Sequence, residues 1–301
     1  MDQTSGKHSA ANRAMADPRH AGEPVSAGHQ AVRRAARLIA LARLCLFGLL
    51  CVCCNVASGK SWGQDATLTP GWERVGRAAK NAAMATGTWA PAAGALALQI
   101  GHADKNLQVW AAKNNPVFGS QRNADRMSDH LLRASGALWL ASGLAAPSGS
   151  EEGEWLQNKA QGIGVQMGAG VLLRSTVGIL KDTTKRERPN GLGASSFPSY
   201  HASNTSIFNT MAAKNIEHLG WSGNTVESTR IGLGALTAAA SWARVEANQH
   251  YPSDILAGIA LGHFFGAFFT DAFLGIDDPN QALVLFEPSR GGYTIIVRFG
   301  F

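Results

Sequence analysis

The sequence contains little cysteine, and all of it lies in one short segment. Four cysteines occur in the 301-residue chain, at Cys45, Cys51, Cys53 and Cys54. They fall within the apolar run 44–56, which we interpret as the core of an export signal. A mature chain that starts after this run would have no cysteine, so disulfides are excluded even in an oxidising compartment.

The chain also lacks an excess of one charge outside its N-terminal segment. Residues 1–63 hold eight of the 27 Lys and Arg residues and three of the 21 Asp and Glu residues. The remaining residues hold 19 basic and 18 acidic side chains, which is a net charge of +1. The high pI of about 9.4 is therefore a property of the N-terminal segment. It gives no argument for nucleic-acid binding.

Residues 1–63 are typical of a disordered polar extension followed by a signal peptide. Four arginines, at 33, 34, 37 and 43, precede an apolar core, residues 44–56, that is too short to span a bilayer comfortably. Small residues suited to cleavage occur at Val56-Ala57-Ser58 and at Ser61-Trp62-Gly63. We expect export to the periplasm or cell envelope. An uncleaved N-terminal anchor is the alternative.

Few stretches of the chain are long and strongly apolar. Charge-poor runs predict six helices, over 81–101 (broken by Pro91), 131–146, 160–180, 201–213, 231–243 and 255–270. We therefore predict an all-α, six-helix bundle over residues 77–276, after a linker at 64–76. Only residues 255–275 are long and apolar enough for a membrane span, which needs about 20 apolar residues. A soluble or peripheral bundle is favoured over a multi-span protein.

The C-terminal tail, residues 277–301, has a different pattern. The segments ALVLFEP and GGYTIIVRFGF are rich in β-branched and aromatic residues and flank a turn at 289–292. This pattern predicts a β-hairpin, packed on the bundle or at the edge of a dimer.

Three ordered motifs carry the candidate chemistry: KDTTKRERP at 181–189, FPSYH at 197–201 and ARVEANQHYPSD at 243–254. They contain three cations, two histidines and one carboxylate, namely Lys181, Arg188, Arg244, His201, His250 and Asp254. A phosphoryl group in transfer spreads negative charge over three oxygens, which guanidiniums and a lysine can hold. A neutral imidazole can attack phosphorus, a carboxylate can orient that imidazole, and a second, protonated histidine can donate to the leaving oxygen.

Local sequence rules predict where the motif groups lie. Pro252 disfavours a helix at the preceding residue, so His250 is expected on a loop. Ser253 is expected to cap the next helix, with Asp254 in its first turn. Ser199 is expected to cap another helix, whose free N–H groups suit phosphate binding.

Other charged residues of this region are interpreted as structural. The helix that carries Lys181 should end before Pro189. Between them, Lys185, Arg186 and Glu187 are interpreted as a solvated surface cluster. His263, in an apolar run, is interpreted as a packed histidine.

The three motifs resemble the type-2 phosphatidic acid phosphatase and vanadium haloperoxidase superfamily, whose signature is K-x6-RP, PSGH and SR-x5-H-x3-D. The resemblance covers about 77–275 and implies that superfamily's helical bundle, with no metal or other cofactor. It implies that the phosphate is bound by Lys181, Arg188 and Arg244 and hydrogen-bonded by Ser199. It further implies His201 as general acid, His250 as nucleophile and Asp254 as the residue that orients His250.

Two residues depart from this signature. Tyr200 stands in place of the motif glycine, and Ala243 replaces the serine before Arg244. Tyr200 keeps the backbone N–H that the glycine offers to phosphate, but a tyrosine does not easily adopt positive φ. We expect its ring to line or narrow the pocket.

The sequence thus predicts an exported, metal-independent phosphatase that acts through a phosphohistidine, with lipid or isoprenoid phosphates slightly favoured as substrates. A broad-specificity soluble acid phosphatase, a vanadate-dependent haloperoxidase and a degenerate non-enzymatic envelope protein are the alternatives. The expected partner is a phosphorylated lipid or small molecule and not nucleic acid. Contact with a membrane surface and homo-oligomerisation stay open.

Overall fold

The structure is a computed structural model that describes residues 61–100 and 103–275, together with the backbone of 283–289 and 292–298. All four cysteines, and residues 1–60 of the predicted extension and signal peptide, lie outside the described residues. Eight α-helices occur in the described part of the chain: α1 Trp72–Met84, α2 Thr86–Ala97, α3 Ala103–Asn114, α4 Gln121–Ala145, α5 Glu152–Thr184, α6 Tyr200–Asn215, α7 Gly223–Glu246 and α8 Pro252–Phe269. A 3-10 turn at Ile216–Leu219 follows α6, and a π-helical turn at Thr270–Leu274 extends α8.

The all-α class is confirmed, and the six predicted helices correspond to α2 and α4–α8. The helices α1 and α3 were not predicted, and α1 begins inside the predicted linker 64–76. The predicted break at Pro91 is wrong, since Pro91 lies inside α2 and the chain bends at Ala85 (ψ 137°). The helix α2 continues past the proline because it packs closely on α8. A Cβ at Gly87 would lie 2.3 Å from the His263 ring.

Close contact between α6 and α8 sets the position of both helix starts. A Cβ at Gly262 would lie 2.2 Å from the Ser203 carbonyl oxygen, and one at Gly258 would lie 2.8 Å from the Ser199 carbonyl oxygen. These glycines therefore allow a backbone approach that any side chain would prevent. The two helices run in the same direction, so their N-termini lie side by side at one end of the bundle.

The opposite end of the bundle is closed by buried polar groups. Trp62 is fully buried, and its Nε1 donates to Asn215 Oδ1 at 3.0 Å. Gln166 Nε2 donates to the same oxygen at 2.8 Å. Lys214 Nζ lies 2.8 Å from Asp271 Oδ1, and both side chains are almost fully buried. This end carries none of the motif residues.

Two strands, β1 Leu283–Ser289 and β2 Gly292–Arg298, follow the helices and pair antiparallel, with Leu283 opposite Arg298. The helices define the fold, and these two strands follow them in the chain.

Two described helices are long and apolar enough to cross a membrane by length and composition: α5 and the continuous segment Pro252–Leu274. The sequence had singled out the second of these alone. Half of its apolar window is buried inside the bundle, as in the core helix of a soluble protein, whereas most of the window of α5 is not. The exposed apolar surface of α5 is consistent with membrane association.

Candidate active site

The three motifs meet where α5 and α7 end and α6 and α8 begin. Lys181 lies in the last turn of α5, which ends at Thr184, with Lys185 in the left-handed conformation (φ 46°) as its cap. Ser199 caps α6 as predicted, accepting from the Ala202 N–H at 3.5 Å. Arg244 lies in the last turn of α7.

His250 lies on the loop between α7 and α8, as predicted from Pro252. The loop turns back on α7, because the N–H groups of Gln249 and His250 donate to the Arg244 carbonyl oxygen at 3.1 and 3.3 Å. The predicted cap, Ser253, is wrong. Proline fits the first helical position, so the cap is Tyr251, whose N–H donates to Asp254 Oδ2 at 2.9 Å.

Lys181 and Arg188 bond to the loop that joins α5 to α6, and Arg188 also bonds to the loop that joins α7 to α8. Lys181 Nζ donates to the Ser195 carbonyl oxygen at 2.5 Å. Arg188 donates from Nη1 to Gln249 Oε1 at 2.8 Å and from Nη2 to Ser195 Oγ at 3.3 Å. Burial, together with the positive charges of Arg188 and Arg244, lowers the pKa of Lys181 to about 8, although Asp254 opposes this shift. The three cations are therefore close enough to repel one another.

Arg244 is held by α4, a helix whose first turns the sequence did not predict. Its Nη1 donates to Asp125 Oδ1 at 2.6 Å and to Ser128 Oγ at 3.1 Å. Arg244 is 6% exposed, whereas the Asp125 side chain is half exposed. The ion pair thus fixes the guanidinium from the solvent side.

Three buried side-chain nitrogens of the site have no hydrogen-bond partner. Among the described residues, eight buried side-chain atoms lack one, and three of these are Arg188 Nε, Arg244 Nε and His250 Nδ1. Buried polar atoms are normally paired. Unpaired N–H donors on two cations, beside Lys181, therefore match a site that receives an anion with several oxygens.

His250 and Asp254 are both buried, at 2% and 0% exposed. His250 Nδ1 lies 3.7 Å from Asp254 Oδ2, which is longer than a hydrogen bond. Burial, with the charges of Arg244 and Lys181, lowers the pKa of His250 to about 4, although Asp254 opposes the shift. The imidazole is therefore neutral at pH 7, as a nucleophile requires.

Asp254 is held ionised by its neighbours. Burial raises the pKa of its carboxyl group, but His250, the Ser196 hydroxyl, Arg186 and the Tyr251 N–H lower this pKa by more. Ser196 Oγ donates to Oδ2 at 2.5 Å and Arg186 Nη1 donates to Oδ1 at 2.8 Å. An ionised carboxylate therefore faces the neutral imidazole.

His201 faces a carboxylate that the sequence did not single out. Its Nε2 lies 2.8 Å from Asp129 Oδ1, on α4. Burial and the charge of Arg244 lower the pKa of His201, whereas Asp129 and Asp125 raise it. The two aspartates are four residues apart on one helix face, and each contacts one positive or titrating group of the site.

The ring of Tyr200 does not lie where we expected it. It packs against the cluster of α5 and α6 side chains that includes Leu173 and Val177. Its hydroxyl accepts from Arg174 Nη1 at 3.0 Å. Because the ring packs on the side of the bundle, only the backbone N–H of Tyr200 would be left to contact phosphate.

The interpretation of Arg186 as a surface residue is wrong. Its guanidinium contacts Asp254, Ser253 and Asp104, at 2.8, 2.8 and 2.6 Å. Local sequence gave no signal for this, because Asp104 is 82 residues away. His263 is packed as predicted, with Nδ1 2.8 Å from Thr88 Oγ1.

The described residues offer no group of three or more His, Cys, Asp or Glu side chains placed to hold a metal ion.

The all-α bundle places a buried histidine beside three cations, and one family model matches this part of the chain. Residues 163–275 match the family model described as the PAP2 superfamily. All three motifs lie in this segment, so the resemblance to the superfamily that they indicated is confirmed over residues 163–275.

One solved structure is similar, that of a transmembrane PAP2-type phosphatidylglycerolphosphate phosphatase from Bacillus subtilis. It is 19% identical and matches over 58% of this chain and 88% of its own, with a TM-score of 0.42. A likeness at this score does not establish a shared activity. No curated protein matches the chain.

Proposed function

We propose that this protein hydrolyses phosphate monoesters through a phosphohistidine on His250, without a metal ion. The observation that carries the proposal is the pair of buried N–H donors without partners on Arg188 and Arg244, close to the buried, neutral imidazole of His250. The charges of Arg188 and Arg244 act on Lys181, and the charges of Arg244 and Lys181 act on His250, which supports a site where three cations and a neutral imidazole meet one phosphoryl group.

The proposed reaction has two displacements. Since Nδ1 faces Asp254, we assign the attack on phosphorus to Nε2. The new N–P bond forms as the ester P–O bond breaks, and His201 gives its proton to the leaving oxygen. In the second step water attacks phosphorus, the N–P bond breaks, and His201 takes a proton from the water. Asp254 stabilises the positive imidazole between the two steps.

Charge stabilisation is the role we assign to the cations. Lys181, Arg188 and Arg244 would hold the three equatorial oxygens, on which negative charge accumulates in the transition state. A bound phosphate would favour their charged forms and would also raise the pKa of His201, because an opposite charge favours the protonated imidazole.

We favour lipid or isoprenoid phosphates as substrates. The exposed face of α5, the helix that delivers Lys181, carries large apolar side chains, among them Val171 (63% exposed) and Ile179 (66% exposed). An apolar chain on the substrate could lie along this face while its phosphate reaches the helix end.

The experiment compares wild type with His250→Ala in phosphate release from a soluble aryl phosphate and from phosphatidate in detergent. His130→Ala is the matched control, since His130 is exposed on α4. We expect release in wild type and the control, in the presence of a chelator, and none in His250→Ala. Substantial phosphate release by His250→Ala would show that His250 is not the nucleophile. The preferred substrate separates a lipid phosphatase from a broad acid phosphatase.

We also propose that the protein is exported and that its signal is cut at Val56-Ala57-Ser58. Cleavage after Gly63 would remove Trp62, a fully buried side chain that bonds to Asn215. N-terminal sequencing of the exported chain is the test, and a mature chain that starts at Gln64 would contradict this choice of site.

A further inference from the structure

Arg186 bridges two buried carboxylates behind the candidate nucleophile. Nη1 donates to Asp254 Oδ1 and Nη2 donates to Asp104 Oδ2, at 2.8 and 2.6 Å. The Arg186 side chain is 27% exposed, and those of Asp104 and Asp254 are 6% and 0% exposed. The guanidinium also lies over the Tyr251 ring, 4.3 Å from its centroid. A side chain with these contacts is built into the site.

Asp104 anchors the same corner from α3. Its Oδ1 accepts from the Ser253 N–H at 2.8 Å, and its Oδ2 accepts from Ser253 Oγ at 2.6 Å. Asp104 therefore satisfies a free N–H in the first turn of α8, the turn that carries Asp254. Arg186 and Asp104 together fix the start of this helix.

We propose that Arg186 is a positioning residue for the phosphatase reaction, with Asp104 as its counter-charge, and that it holds Asp254 ionised and aimed at His250. This inference rests on the proposed function. Arg186 touches neither His250 nor the three cations that would bind phosphate, so it acts through Asp254.

The charges around Asp254 explain why an arginine is needed. Two cations face Asp254, namely Lys181 on α5 and Arg186 on the loop after α5. The other charged or titratable groups are His250, on the loop before α8, and Asp104, which lies on α3 on the far side of Arg186. Without Arg186, no guanidinium would lie between Asp254 and the buried Asp104, and the pKa of Asp254 would rise, which favours its protonated form. A protonated Asp254 could not stabilise a positive imidazole at His250.

The fork of a guanidinium also matters. The guanidinium donates to the two carboxylates from two different nitrogens, whereas a lysine ammonium is a single point charge. Lysine at this position should therefore preserve the ionised form of Asp254 better than its orientation.

The test is Arg186→Gln, with Lys185→Gln as matched control, because Lys185 is an exposed cation one residue away. For Arg186→Gln we expect kcat to fall on the order of 10–100-fold, as when the outer partner of a reacting group is lost. KM and inhibition by vanadate should not change, because the phosphate-binding cations remain. Arg186→Lys should give an intermediate kcat, and it also tests the proposal if Arg186→Gln does not fold.

The pH profile separates positioning from a merely structural role. Arg186 lowers the pKa of Asp254, so Arg186→Gln should raise it, and the acidic limb of kcat/KM should move to higher pH. A folded Arg186→Gln with the kcat and acidic limb of wild type would overturn the proposal, as would an equal loss in Lys185→Gln.

A measurement without turnover keeps this inference distinct from the proposed function. Carboxyl ¹³C NMR of aspartate-labelled protein gives the titration of Asp254 directly. Absence of turnover in wild type would refute the phosphatase, whereas an Asp254 midpoint that does not move in Arg186→Gln would refute the role of Arg186. A midpoint that moves to higher pH would support that role in either case.

Discussion

The candidate site takes its cations and histidines from one region and most of its carboxylates from another. Helices α5–α8 and their loops, inside the segment 163–275 that matches the superfamily, supply the motif groups. Helices α3 and α4 precede that segment and supply Asp104, Asp125 and Asp129, which contact Arg186, Arg244 and His201. Under the proposed function, the first region would contact the substrate, and the second region would hold the groups that make this contact. Loss of a motif group should therefore lower turnover more than loss of a carboxylate on α3 or α4.

The largest effect should come from a pair of variants that divides the two regions. Arg244→Ala removes a donor to the transition state and should lower kcat/KM by about 10²–10³. Asp125→Asn leaves this donor in place and loosens its support, so we expect a loss nearer to about tenfold. Steady-state kinetics with an aryl phosphate measure both. Equal losses would show that the carboxylate is as necessary as the cation, against the division proposed here.

The pH dependence of kcat/KM should show an acidic optimum. Activity requires neutral His250, whose pKa is lowered to about 4, and protonated His201, whose pKa is lowered from 6.5. The rate should therefore fall as pH drops below about 4 and as pH rises through the His201 pKa. Asp129 raises that pKa, so Asp129→Asn should move the alkaline limb to lower pH and leave the acidic limb in place. An alkaline limb that does not move would show that Asp129 does not raise the pKa of His201.

The smallest effect on turnover should come from the opposite end of the bundle. Lys214→Met leaves Asp271 buried without this cation, which should lower the free energy of unfolding by about 3–5 kcal/mol. The folded protein should keep the kcat of wild type, because no motif residue lies at that end. Chemical denaturation and kinetics at low temperature measure the two quantities. A lower kcat in fully folded Lys214→Met would show coupling between the two ends.

Local sequence rules predicted where the motif groups lie, but they could not predict the contacts between residues far apart in the chain. The proline at 252 placed His250 on a loop, and Ser199 was recognised as a cap, because both effects act within a few residues. The partners of Arg186, Arg244 and His201 are 82, 119 and 72 residues distant, and no local signal joins them. Helix α3 was missed for a related reason. Its sequence, ADKNLQVWAAKN, has little apolar periodicity, and packing stabilises it.

The central claim is that His250 attacks phosphorus, and a trapped intermediate tests it most directly. His201→Ala with an aryl phosphate should accumulate the phosphoenzyme, because the good leaving group needs no acid while the attack of water loses its base. Quenching in alkali, where a phosphoramidate persists, and peptide mass spectrometry should place one phosphoryl group on His250. A phosphoryl group on another residue, or rapid turnover with an unmodified His250, would contradict the mechanism.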